Sequence, residues 1–270
     1  MNKAKEIKTL DNPQNGNDFI ADVTSSVFCQ DNLELLKSQP DESVDLIYCD
    51  ILYGTGRNFG DFQDLKPIRS EIEAHYLPRL KEMHRVLKST GSIYFHCDWH
   101  INHWIRDLMD RVFGYDKFVN EIIWYYTIPS SSKRMFNRAH SNIYFYSKSD
   151  KRTFNDKDIR IPYKDGLHGG NFGKVTEERI KLGKICESWW NFPQVKVLVK
   201  ENCGYPTQKP KALIERIIKA SSNEGDTVAD YYLGSGTTAV VCKELNRKFI
   251  GCDINPKAIE ITNARLDAIS

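Results

Sequence analysis

The 270-residue chain lacks any apolar run close to the about 18 residues that a membrane-spanning helix needs, so no membrane partner is expected. It also lacks any C-x-x-C pair. Its seven cysteines (Cys29, Cys49, Cys97, Cys186, Cys203, Cys242 and Cys252) are odd in number and scattered, which argues against a disulfide framework or a structural zinc site and suits a reducing cytoplasm. There is no internal repeat and no low-complexity tract. The opening stretch, MNKAKEIKTLDNPQNGNDF, has neither an apolar core nor a cleavage-site pattern and reads as a polar lead-in over residues 1–20 rather than a secretory signal. Net charge is scarce too, at only +2.

That small net charge conceals an uneven distribution. Residues 128–200 carry 15 Lys and Arg against 7 Asp and Glu, leaving 23 against 29 in the rest of the chain. A local excess of this size suits a surface that faces a polyanion, although a solvated surface explains it equally well.

Short β-rich runs alternate with helical segments, the pattern of a parallel sheet covered by helices. Strands are expected at Val44–Cys49, Ser92–His96, Thr227–Tyr231 and Lys248–Asp253, with two aromatic strand-like runs at Phe118–Tyr126 and Asn142–Ser147. Helices are expected at Asn32–Ser38, Ser70–Lys88, His100–Phe113, Lys211–Ser222, Thr237–Leu245 and Pro256–Leu266, the second kinked or interrupted at Pro78. Residues 149–200 lose clear periodicity and read as an insertion with its own surface role.

Two stretches suggest chemistry. In DTVADYYLGSGTTAVVCKELNRKFIGCDINPKAIEI a strand, a glycine turn, a helix and a second strand follow in order. Gly234 and Gly236 permit a tight turn, Thr237 opens a helix whose free N–H groups favour an anion, and Asp253 can accept from ribose hydroxyls. A nucleoside-containing cofactor is implied. The looser G-x-G-x-x-A pattern would also admit a nicotinamide oxidoreductase. Only 17 residues follow Asp253, however, so the rest of the sheet is expected from the N-terminal half, in permuted order. The other stretch, DLIYCDILYGTGRNFGDF from Asp45, runs through apolar residues to Asp50 and then at once to Tyr53. A buried strand needs no such ending.

Five segments together resemble the bacterial amino-group DNA methyltransferases of the permuted (β) class: FCQDNLELLKSQPDESVDLIYCDILY, GSIYFHCDWH, NEIIWYY with HSNIYFYSKS, GYPTQKPKALIERIIKASSNEGD, and VADYYLGSGTT. The resemblance implies a Rossmann-like α/β fold, with a mostly parallel sheet, one antiparallel hairpin strand and a small target-recognition insertion. It divides the chain into a catalytic half at 21–150, the insertion at 151–200 and a cofactor-binding half at 201–270. It further implies S-adenosylmethionine as cofactor and double-stranded DNA as partner. Members are often homodimers and often work beside a restriction endonuclease acting on the same site.

For Asp50, Ile51 and Tyr53 the implied roles are catalytic. An exocyclic amine is a poor nucleophile because its lone pair is delocalised into the ring. The Asp50 carboxylate accepting one N–H, with the Ile51 carbonyl accepting the other, would free that lone pair to attack the sulfonium methyl in line. Tyr53 would stack on a base turned out of the duplex. Asp31, Asp50, Thr207, Lys209, Asp230, Gly234, Ser235, Gly236, Thr237, Thr238 and Asp253 are the implied cofactor-binding residues. Among them Asp31 would bond the cofactor's adenine or cap a helix, and Thr207, Lys209, Thr237 and Thr238 would meet the methionine carboxylate. Arg57 and Asn58, in a flap at Gly54–Phe62, and Lys133, Arg134 and Arg138, in a basic loop at Ser130–Arg138, would meet DNA.

The chain departs from the family twice, writing Asp50-Ile51-Leu52-Tyr53 for Asp-Pro-Pro-Tyr and Asp230-Tyr231-Tyr232 for Asp-Pro-Phe. A DNA-binding pseudoenzyme therefore stands as an alternative. So does a cytosine-N4 enzyme, although opening the tetrapeptide with Asp rather than Ser favours adenine N6. No Pro-Cys occurs, which disfavours cytosine carbon-5 chemistry. The cluster HCDWHINHW crowds His96, Cys97, Asp98, His100 and His103, but a strand-to-helix change would turn these side chains apart, and no metal is expected.

Overall fold

Alternation along strand β2 (Val44–Asp50) decides the layering. Leu46 and Tyr48 face one side of the sheet, Ile47 and Cys49 the other, and all four are essentially fully buried. A strand with both faces apolar needs helices on both. In the computed structural model, which describes residues 25–58, 63–129, 132–163, 176–196 and 198–269, it has them. The expected lead-in at 1–20, and parts of the flap, basic loop and insertion, lie outside the described residues.

On one face pack α1 (Asn32–Ser38), α2 (Arg69–Val86) and α3 (Asn102–Phe113). On the other pack α5 (Lys211–Ser221), α6 (Thr237–Glu244) and α7 (Pro256–Asp267). Local signals set their ends: the Asp31 carboxylate caps α1 by accepting from Leu33 N–H at 2.8 Å, and Asn255 caps α7 ahead of Pro256. Of the kink or interruption expected at Pro78, the interruption does not occur in α2. The proline's lost backbone bond is outweighed by the buried stripe of Ile72, Tyr76, Leu80 and Met83 on either side.

The remaining strands are β1 (Ser26–Cys29), β3 (Leu87–Cys97), β4 (Phe118–Tyr125), β5 (His140–Ser147), β6 (Arg160–Ile161), β7 (Lys184–Ile185), β8 (Trp189–Asn191), β9 (Thr227–Asp230) and β10 (Lys248–Asp253). Among the described residues the main sheet has eight strands in the order β1-β10-β9-β2-β3-β5-β4-β8, and β5 alone runs antiparallel to its neighbours. This is the expected mostly parallel sheet with one hairpin strand.

The segment read as an insertion docks on the sheet at its end. After β6, β7 and a short helix α4 (Glu177–Leu182), β8 pairs parallel with β4, and Trp190 is buried in the same core as Trp124 and Ile214. Among the described residues no helix is long and apolar enough to cross a membrane.

Candidate active site

Parallel pairing aligns the carboxyl ends of five neighbouring strands, and the predicted acids sit there. Asp253 ends β10, Asp230 ends β9 and Asp50 ends β2, while Asp31 lies two residues beyond β1 and His96 pairs with Asp50 from β3. Over these ends opens a cavity of about 510 Å³, within the size range of small-molecule sites. It is lined by Asp31, Asp50, Ile51, Tyr53, Thr207, Lys209, Asp230, Gly234, Ser235, Thr237, Thr238 and Asp253.

Gly236 does not line it. Its φ of +71° and its approach to Thr262, whose Oγ1 would lie 2.3 Å from an added Cβ, give this glycine a packing role against α7. Arg57, Asn58, Lys133, Arg134 and Arg138 are exposed and lie outside the cavity lining. Arg138 is stacked over Trp99 at 3.8 Å, which pins the basic loop to the segment following β3. Since β5 begins where β3 ends, this loop stands at the same edge of the sheet as Asp50.

At the centre, Tyr53 Oη donates to Asp50 Oδ1 at 2.6 Å and Lys209 Nζ donates to Oδ2. Lys209 was expected beside a cofactor carboxylate. In this structure it balances the Asp50 charge in a largely buried pair. The missing prolines are replaced by bonds that prolines could not make or would not need. Ile51 N–H donates to the His96 carbonyl at 3.1 Å, and the Leu52 carbonyl accepts from Tyr76 at 2.7 Å. In the second motif Tyr231 donates to Gln39 and its carbonyl accepts from Asn32, while Tyr232 Oη lies 3.1 Å from His75 Nε2.

The glycine turn is tied to the acid beyond it. Asp253 Oδ2 accepts from Gly234 N–H at 2.8 Å and Oδ1 from Asn255 N–H at 2.9 Å, and burial pushes the Asp253 carboxyl up from the ordinary range. Asp230, 2% exposed, is pushed up to about 7, by burial foremost and against hydrogen bonds from Thr238 Oγ1 at 2.6 Å and Tyr232 N–H at 3.0 Å. The Thr238 hydroxyl, expected to meet a cofactor carboxylate, donates to Asp230 in this structure.

Several residues escape sequence reasoning. Arg79 donates to Asp31 at 2.8 Å, to Asn32 and to the His75 carbonyl, so it fixes the acid beyond β1. The signal was available in the four-residue spacing of His75 and Arg79, which puts both on one face of α2. Burial lowers the His75 pKa to about 4 and keeps it neutral. His96 turns to Tyr48 and Tyr53, whereas His100 turns to Asp98.

The DNA methylase family pattern matches residues 44–264. This chain belongs to the DNA methylase family. It is 36% identical over 248 residues to the type II methyltransferase M.HpaI of Haemophilus parainfluenzae, covering 90% of this chain and 74% of that protein. It is also 36% identical over 245 residues to the DNA adenine methyltransferase YhdJ of Escherichia coli K12, covering 89% and 82%. Its fold resembles the cytosine-N4-specific PvuII DNA methyltransferase, with a TM-score of 0.66, 19% identity and coverage of 92% and 88%. A second fold neighbour is the complex of M1.HpyAVI with S-adenosylmethionine, with a TM-score of 0.57, 20% identity and coverage of 89% and 98%. The expected family, fold and cofactor agree with these findings.

The site of this DNA methylase fits S-adenosylmethionine on its own chemistry. The carboxylates of buried Asp230 and part-buried Asp253 suit a cation and ribose hydroxyls, and the turn at Gly234 lets a ligand approach the backbone.

Proposed function

We propose that this DNA methylase methylates the N6 amino group of adenine in double-stranded DNA, as one half of a restriction–modification pair. The observation that carries the reading is Asp50, an acid at the strand end inside the cavity, bonded at 2.6 Å to the Tyr53 hydroxyl and flanked by the Ile51 backbone. A carboxylate has about four acceptor positions, so Tyr53 and Lys209 leave room for an amine N–H. The Leu52 carbonyl is engaged by Tyr76, which leaves that of Ile51 as the acceptor beside Asp50 for the second N–H. Drawn between these two oxygens, the amine nitrogen regains its lone pair. When bound, S-adenosylmethionine supplies the electrophilic methyl group.

In the same proposal Asp31, Asp230 and Asp253 with the 234–238 turn hold the cofactor, while Tyr53 stacks on the flipped base. Lys133 and Arg134 meet phosphates, and Arg57 and Asn58 stand beside the base. Residues 21–150 form the catalytic half, 151–200 the target-recognition segment and 201–270 the cofactor half. A homodimer and a cognate endonuclease acting on the same site belong to this reading. So does a cytoplasmic setting, which the seven free cysteines suit.

Digesting enzyme-treated DNA to nucleosides and weighing the modified base tests the proposal. N6-methyl-2′-deoxyadenosine is the expected product. N4-methylcytosine would replace the adenine reading with the chemistry named for the PvuII neighbour, and no methylated base at all would leave a DNA-binding pseudoenzyme.

A further inference from the structure

His96 is fully buried and sits directly across from Asp50 in the β2–β3 pairing. Tyr48 Oη lies 2.9 Å from its Nδ1, and Tyr53 Oη lies 3.3 Å from its Nε2. Trp124 closes the ring off edge-on, with centroids 5.6 Å apart. Asp50 Oδ1 lies 3.4 Å from Nδ1, too far to compete with its 2.6 Å bond from Tyr53.

Counting protons sets the direction of each bond. A carboxylate only accepts, so the single hydroxyl proton of Tyr53 goes to Asp50. The Tyr53 oxygen is then an acceptor towards His96, and Nε2 must carry hydrogen. Burial lowers the His96 pKa to about 3, an effect that nearby Lys209 reinforces and Asp50 only partly opposes, so the ring is neutral and has one such hydrogen. Nδ1 is therefore a bare lone pair, and the buried Tyr48 hydroxyl donates to it. The opposite tautomer would bring two lone pairs together between Nε2 and Tyr53, a costly arrangement at buried polar groups, whereas the Tyr48 hydroxyl can turn to suit either tautomer.

We propose that His96 is a positioning residue of the methyl-transfer site. As the Nε2–H tautomer it joins a one-way chain of donors, Tyr48 to His96 to Tyr53 to Asp50. That chain fixes the Tyr53 ring and the Asp50 oxygen relative to each other before a base arrives. The inference rests on the reading of Asp50 as the amine acceptor. Tyr53 is thereby held at its hydroxyl from two sides, so the ring face stays in place when Lys209 or the substrate moves. Residue 96 never touches the reacting atoms and acts through Tyr53.

Two measurements test it. In wild-type enzyme labelled with 15N-histidine, long-range 1H–15N correlation spectra should show a buried neutral Nε2–H ring that persists from pH 7 to pH 5. An Nδ1–H or protonated ring would overturn the proposal, and this readout needs no variant. In steady-state kinetics, His96→Leu should lower kcat by about 5- to 100-fold, the range for leaving buried polar partners unpaired. DNA KM and cofactor Kd should stay within about threefold. His96→Gln, which restores an N–H, should recover most of the loss, and His96→Leu should add nothing in a Tyr53→Phe background. Additive losses, or a glutamine variant as slow as the leucine one, would overturn it. Running Asp50→Ala alongside separates the failures. Undiminished transfer by Asp50→Ala would remove the reading beneath the proposal, whereas a dead Asp50→Ala with additive losses would remove only the His96 chain.

Discussion

Asp230 carries a pH dependence at the level of a single residue. Its folded value of about 7 lies above the ordinary carboxyl range, so in the free enzyme it holds its proton through weakly acid conditions. The unfolded carboxyl ionises earlier, so stability falls as pH rises from about 4 towards about 7. Asp253 is shifted in the same direction. A cofactor cation beside Asp230 favours the carboxylate, so binding should expel a proton. S-adenosylmethionine affinity should therefore rise with pH up to about 7 and then level off. Calorimetry at pH 6 in buffers of different ionisation enthalpy should show about one proton released, and a pH-independent affinity would contradict the account. Asp253→Ala should weaken cofactor binding before it slows transfer, as titration would measure. Asp50 and Asp253 were legible because each ends an apolar run with a charge. His96 was not, because its partners Tyr48 and Tyr53 lie 48 and 43 residues away and meet it only through sheet register, and the contact of Arg79 with Asp31, 48 residues away, depends likewise on helix packing.

The elements follow sequence signals where those signals are local. Helix α1 matches its expected span because Asp31 caps it, and α7 starts where Asn255-Pro256 marks it. Strand β1 passed unnoticed because four residues, SVFC, give no alternation to read, and β6, β7 and β8 are shorter still. Trp190 is what attaches β8 to the core. Its truncation to Ala should cost about 3–5 kcal/mol in denaturant unfolding and loosen residues 149–200 in hydrogen exchange. At the glycine turn, Gly236→Ala combines a left-handed φ with the Thr262 clash. It should lower stability by about 2–4 kcal/mol through the α6–α7 packing.

Across the whole molecule, the fold sets a basic loop and an acid-floored cavity at one edge of one sheet. The order of the motifs foretold the permuted topology. The docking of residues 189–191 on β4 was hidden, because strand pairing at an edge leaves no pattern in three residues. Exposed Lys133 and Arg134 should act on DNA as counter-charges to phosphate. Replacing both by Ala should weaken binding across sequences and reduce the salt-dependence slope by about 2.

The account as a whole stands on Asp50. Methyl transfer from tritium-labelled S-adenosylmethionine to mixed-sequence DNA, measured for wild type and Asp50→Ala beside their cofactor affinities, tests it most directly. The expected result is transfer by the wild type, none by the variant, and cofactor affinities within a few-fold of each other. Transfer by the variant at the wild-type rate, or loss of cofactor binding in step with activity, would contradict it.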